Sequence, residues 1–200
     1  MSTLSRRTKI IVAFVVIIAV GYGIALFWQW QSGVPASFTA ARLQGAIIAQ
    51  TIVNNSNQSV TELDAINKYD QEGDYVDALA STTDLIKQSA GLRDEAVQLS
   101  AQVTQMTNDL PKIKSADAQQ AALQSITIRL AVINELITYS NDLDHLLAVL
   151  QARFSGTPQP NGAVANIVSQ INADVNLINN FNAQAGQAMD KFDTIEKGNQ

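Results

Sequence analysis

The chain has 200 residues, a formal net charge of −5, one histidine and no cysteine. The missing thiol excludes disulfides, thiolate catalysis and cysteine-ligated zinc. An acidic chain without a basic patch argues against nucleic acid or anionic headgroups as partners. Aromatics are 6% of residues, whereas Ala, Gln, Asn, Leu and Ile are plentiful, a mix that suits long helices better than sheets.

Residues 1–9 are a basic stub with Arg6, Arg7 and Lys9. Residues 10–30 follow without a charge or a proline. A bilayer core is about 30 Å thick and needs roughly 20 apolar residues in a helix to cross it, so this stretch is expected to be a transmembrane signal-anchor helix that contacts the lipid bilayer. Trp28 and Trp30 at its end suit the headgroup zone. The cations lie before it and the next charge is Arg42, so the positive-inside tendency predicts a cytoplasmic N-terminus and an extracytoplasmic C-terminal domain. The competing reading is a cleaved secretory signal, with Val34-Pro35-Ala36 near the cut. Its apolar core would be longer than the usual 7–15 residues or so, and proline before the cut is awkward. Gly21 and Gly23 lack the four-residue spacing of a helix-pairing face. The basic stub and apolar helix also resemble a type IV pilin, but that family's cleavage motif and early glutamate are missing.

Beyond the anchor, ten basic residues stand against eighteen acidic ones. A linker over residues 31–37 (QSGVPAS) carries Gly33 and Pro35, and Ser37 is expected to cap the next helix. Residues 38–197 are expected to form one extracytoplasmic helical bundle, with 198–200 as a tail. The first helix is predicted over 38–69, with Phe38, Leu43, Ile47, Ile48, Ile52, Val53, Val60, Leu63 and Ile66 as its apolar residues. The polar run at 54–59 (NNSNQS) is either a kink or a turn that splits it. The run also holds two N-x-S sequons, at Asn54 and Asn57, read as a polar helix face.

Gly73 is expected to end the first helix and Asp74 to cap a second over 75–108. There Leu92, Ala96, Leu99, Val103, Met106 and Leu110 alternate steps of four and three, a heptad seam that Pro111 closes. The third helix, 116–154, is the most apolar. Its expected stripe is Ile126, Leu130, Ile133, Ile137, Leu143, Leu147, Leu150 and Phe154, widened by Leu136, Leu146 and Val149. Residues 155–162 (SGTPQPNG) are a loop. The fourth helix, 163–197, repeats Ile167, Ile171, Ile178, Phe181, Ala185, Ala188, Phe192 and Ile195, with Asp174 as a polar intruder and asparagines on its outer face. Four long helices with short connections predict an all-α, antiparallel, coiled-coil-like four-helix bundle.

Ala65, Tyr69, Gly73, Asp74, Tyr75, Ala78 and Leu79 resemble the middle of a tetratricopeptide repeat, where two helices meet across a Gly-Asp-Tyr turn. No second copy follows at the thirty-four-residue period, and a helical hairpin using the same turn chemistry is the simpler account. In layout, an anchor followed by four helices is similar to the ligand-sensing bundle of chemotaxis receptors.

Chemistry has few footholds. His145 stands three residues after Asp142, but no second histidine joins them, and a solvated helix face is the expected setting. Asp70, Glu72 and Asp74 alternate beside Gly73, yet Ala80 and Ser81 fall where a calcium loop needs its bidentate glutamate, so Asp74 and Asp77 are expected to serve the helix N-terminus. No catalytic, cofactor-binding or metal-binding residues are assigned, and no enzymatic activity is expected. The expected role is docking or scaffolding along a helix face, with a protein partner or another copy. The alternative is an extracytoplasmic small-ligand sensor, or an accessory subunit of a membrane complex, whose bundle core holds the ligand.

Overall fold

The computed structural model describes residues 33–198, so the anchor expected at residues 10–30 lies outside the described residues. Four long helices follow in order: α1 Ala36–Glu72, α2 Tyr75–Asp109, α3 Ala116–Phe154 and α4 Ala163–Gly198. A single 3-10 turn, Leu110–Lys112, sits between α2 and α3. Among the described residues there is no strand. At 1.5 Å per residue each helix is about 55 Å long.

The connections set the topology. Gly73 adopts φ 76°, the left-handed conformation that glycine enters without a Cβ penalty. Asp74 then accepts the backbone N–H of Asp77 at 3.2 Å and caps α2. So tight a turn leaves α2 no course but back along α1. Pro111 ends α2 through the 3-10 turn, and Ser115 caps α3 by accepting from Ala118 N. Gly156 and Gly162, both at positive φ, bracket the last loop.

Two sequence expectations are corrected here. Ser37 does not cap α1: the cap position is Pro35, whose carbonyl accepts from Phe38 N and Thr39 N, and the helix begins one residue before the serine. The run 54–59 does not split α1, which continues through it as one helix. Ser59 and Thr61 return their hydroxyls to the carbonyls of Asn55 and Asn57, which leaves neither side chain competing for the helical N–H groups, and Asn55 Nδ2 donates to Glu95 of α2 at 2.6 Å, tying the run to its neighbour.

The helices pack in chain order, α1 on α2, α2 on α3 and α3 on α4. The ring closes at the base, where the chain enters at Gly33. There Phe38 of α1 meets Phe192 of α4 with ring centroids 5.5 Å apart. At the opposite tip, Arg153 at the end of α3 pairs with Asp70 at the end of α1, and Tyr75 stacks on Phe154. One continuous core fills the interior, from Phe38 and Met106 at the base through Leu85, Leu143 and Leu147 to Phe154 at the tip.

Buried positions follow steps of three and four, most regularly on α2: Thr82, Leu85, Ser89, Leu92, Ala96, Leu99, Val103 and Met106. On α1 and α3 three apolar residues placed in the sequence stripe face outward instead: Leu43, Ile47 and Leu130. α3 is also long and apolar enough to cross a membrane by length and composition, with a mean hydropathy of 1.2 in its best window. It lies between α2 and α4 as the central strut of the bundle.

Candidate functional site

Two regions stand apart from ordinary core and ordinary surface. The first is a polar layer across the middle of the bundle. Cross-helix hydrogen bonds set its register: Asn55 to Glu95, Ser89 to Asp144 at 2.7 Å, and Arg93 to Asn141. Tyr139 is buried here and its hydroxyl is pushed up to about 12, chiefly by burial and against a hydrogen bond with Ser56. Burial likewise raises Glu95 above the usual carboxylate range, partly offset by the Asn55 amide.

Asp174 is the sharpest member of the layer. It occupies the core register of α4 at 8% exposure, and its Oδ2 has no hydrogen-bond partner. Burial pushes its carboxyl up to about 6. The charges of Asp142 and Glu135 on α3, and a hydrogen bond with Asp142, push the same way. A carboxyl so placed takes up a proton more readily than a free one, because burial forfeits the solvation of its charge and the carboxylates on α3 repel it.

The second region lies towards the base. Residues 43–61 of α1 and 96–108 of α2 contain no charge. Between Asp117 and Asp142, α3 carries only Arg129 and Glu135, and from residue 163 to 189 α4 carries only Asp174. None of these three side chains is exposed. The cross-helix bonds align the four stretches over about a dozen residues of height, roughly 18 Å. The result is a belt around the rod with no exposed charge on any helix. Among the described residues, six of the eight exposed large apolar ones lie in the same stretches: Leu43, Ile47, Val97, Leu123, Leu130 and Leu177. An isolated exposed leucine is normal, but apolar side chains gathered where charge is absent have the composition of an interface core.

Arg129 is the inward exception in the belt. It stands in the core register of α3, between Ile126 and Ile133 in steps of three and four, and its Nε is buried without a partner. Burial, and next the charge of Arg42, pull it below the ordinary guanidinium range. Arg42 itself is fully engaged by Asp193 of α4.

The residues weighed from sequence are spread apart rather than brought together. His145 is exposed on α3, as expected of a solvated face. Asp70 is taken by Arg153, Asp74 by its cap, and Glu72 faces Lys68 across an exposed turn at 3.9 Å. Among the described residues no group of three or more His, Asp or Glu is placed to hold a metal ion. At the tip, Tyr75, Val76, Leu79, Thr83, Asp84 and Phe154 line an open, mostly apolar hollow of about 430 Å³. The belt could have been found from sequence only as uncharged runs, since their coincidence in height depends on the register between helices.

Fold and surface together define, over the described residues, an all-helical four-helix bundle with charge at both ends and a waist without exposed charge. No family model, curated protein or solved structure matches the chain.

Proposed function

We propose that the chain is a membrane-tethered docking module. Residues 10–30 hold it to a bilayer with the N-terminus cytoplasmic, and the four-helix rod stands outside and binds a protein along its waist. The observation that carries this reading is the belt: six large apolar side chains turned outward on a band without exposed charge, on a rod that is otherwise acidic. The anchor is supported by residues 10–30 themselves, an uncharged stretch long enough to span. The chain enters the bundle at Gly33, where an added Cβ would lie 3.7 Å from Glu196 and 3.8 Å from Lys114, so a tether there leaves the whole length of the rod clear of its attachment.

The test uses the absence of cysteine. Single cysteines at the exposed belt positions Gln98 and Asn176 carry a photo-crosslinker in native membranes, and mass spectrometry identifies what is attached. A reproducible protein on the belt is the expected result. No protein from either position, together with ligand-dependent stabilisation of the purified chain, would replace docking with small-ligand sensing. Release of the chain from membranes by alkaline carbonate would refute the anchor separately.

A further inference from the structure

Which partner the waist accepts can be argued from its chemistry. Asp144 of α3 bonds Ser89 of α2, so its register position marks the flank of α3 that faces α2. Leu123, Leu130 and Ile137 precede Asp144 at steps of seven and share that flank. On α2, Arg93 reaches Asn141 of α3, and Val97 follows Arg93 by one turn. Val97, Leu123 and Leu130 therefore line one outer seam, along the groove between α2 and α3, and all three are exposed. The polar side chains beside them, such as Thr127 and Asn134, are exposed and uncharged.

We infer that this α2–α3 seam is the contact surface for a second copy of the chain, so that the bundle pairs side by side about a two-fold axis. The inference rests on the docking reading above and names its partner. A two-fold contact sets each patch against itself, and a patch bearing charge of one sign would then repel its own copy. Of the charges outside the waist, the tip carries four basic and eleven acidic residues and the base five of each, so two copies repel at their tips, whereas the waist brings no exposed charge to the contact. Its hydroxyls and amides each offer both donor and acceptor, so they can pair with their own counterparts, whereas a foreign partner is selected largely by a charge pattern that the seam lacks. Leucines one heptad apart supply knobs for a neighbouring helix at the same height. Copies tethered to one membrane already share orientation and level, which removes much of the entropy cost of meeting.

The experiment is bismaleimide crosslinking of the full-length chain in native membranes, with two differently tagged copies. Val97→Cys and Leu130→Cys report the seam. Lys68→Cys and Asp190→Cys, exposed in the charged ends, report random collision. The expected result is mixed-tag dimers from the seam positions, in clear excess over the end positions. A Leu130→Glu change on both copies should cut the Val97→Cys product by about tenfold, since it sets two like charges across the contact. Circular dichroism of the same variant checks that the helices remain. Equal yields from seam and ends, or insensitivity to Leu130→Glu in a folded variant, would overturn the inference. Seam crosslinks to a different protein would overturn it while leaving the docking reading intact. No crosslink between copies from any position would likewise overturn the inference, while the docking reading stands or falls by the photo-crosslinking test above.

Discussion

Arg42 on the first helix grips Asp193 on the last, through two parallel bonds of 2.7 and 2.8 Å that span 151 residues of sequence. The pair is half-buried and lies beside the Phe38–Phe192 contact, so it fastens the seam where α1 and α4 close the ring. Paired guanidinium and carboxylate forks are stronger than single surface contacts. A double-mutant cycle of Arg42→Ala and Asp193→Ala, read by urea unfolding, should give a coupling energy of about 1 kcal/mol. Asp193→Ala should be the costlier single change. It leaves Arg42 unpaired beside Arg129, two cations with no carboxylate between them.

The buried carboxyl of Asp174 sets a pH dependence opposite to the usual one. Its folded value of about 6 lies above that of an unfolded aspartate. The folded state therefore holds the proton more tightly, and the cost of charging the group is present above pH 6 and relieved as pH falls towards 4. Melting temperature should rise between pH 7 and pH 5. Asp174→Asn should stabilise the chain at pH 7 by on the order of 1 kcal/mol, allowing for screening, and should remove that rise. The groups facing it from α3, Asp142 and Glu135, are both carboxylates, so neither supplies a compensating cation. A melting temperature that falls from pH 7 to pH 5 in wild type would contradict this account.

Asp109 works in the other direction. It is buried at the base, where Lys112 Nζ donates to it at 2.6 Å and Gln105 Nε2 at 3.1 Å. Bonds from Lys112, Ser37 and Gln105 bring its carboxyl down to about 2. Its stabilisation is complete above the unfolded aspartate value and is lost as pH falls from about 4 towards 2. Taken with Asp174, stability should peak near pH 5 and fall on both sides. Asp109→Asn should lower the melting temperature at pH 7 by several degrees and flatten the acid limb, because the amide keeps the shape but loses the charge-assisted bond to Lys112.

What the sequence made legible follows from its punctuation. The limits of α3, Ala116–Phe154, match the expected helix because connectors with proline and serine bound it on both sides, and glycines join them in the second. Gly73 and Asp74 were readable for the same reason, since few residues do what a left-handed cap and an N-terminal acceptor do there. Which apolar residue faces inward was less legible. On α3 the apolar residues are dense enough to mark two flanks, and Leu130 fits the pattern of one while Arg129 takes the register of the core. On α1, Ile48 and Ile52 bury while Leu43 and Ile47, equally apolar, do not. Composition cannot choose between them, because the choice depends on where α2 and α4 lie. The candidate surface was hidden for the same reason: an uncharged run on one helix is unremarkable until three neighbours place theirs beside it.

That difference between equal residues gives a direct test. Leu130 and Leu147 stand on the same helix and look alike in its sequence stripe. Leu130 is 47% exposed, whereas Leu147 is fully covered by the core. Truncating a buried leucine removes its transfer energy and leaves a cavity, so Leu147→Ala should cost about 2–5 kcal/mol. Truncating one that already faces water removes little, and Leu130→Ala should stay within about 0.5 kcal/mol of wild type. Chemical denaturation of the two variants at equal, low protein concentration measures both. At high concentration the comparison should change for Leu130 alone. If two copies meet at its seam, Leu130→Ala loses the concentration-dependent gain in melting temperature that wild type and a helix-face control such as Gln88→Ala retain. A cost for Leu130→Ala comparable with that for Leu147→Ala in dilute monomer would instead return Leu130 to the core.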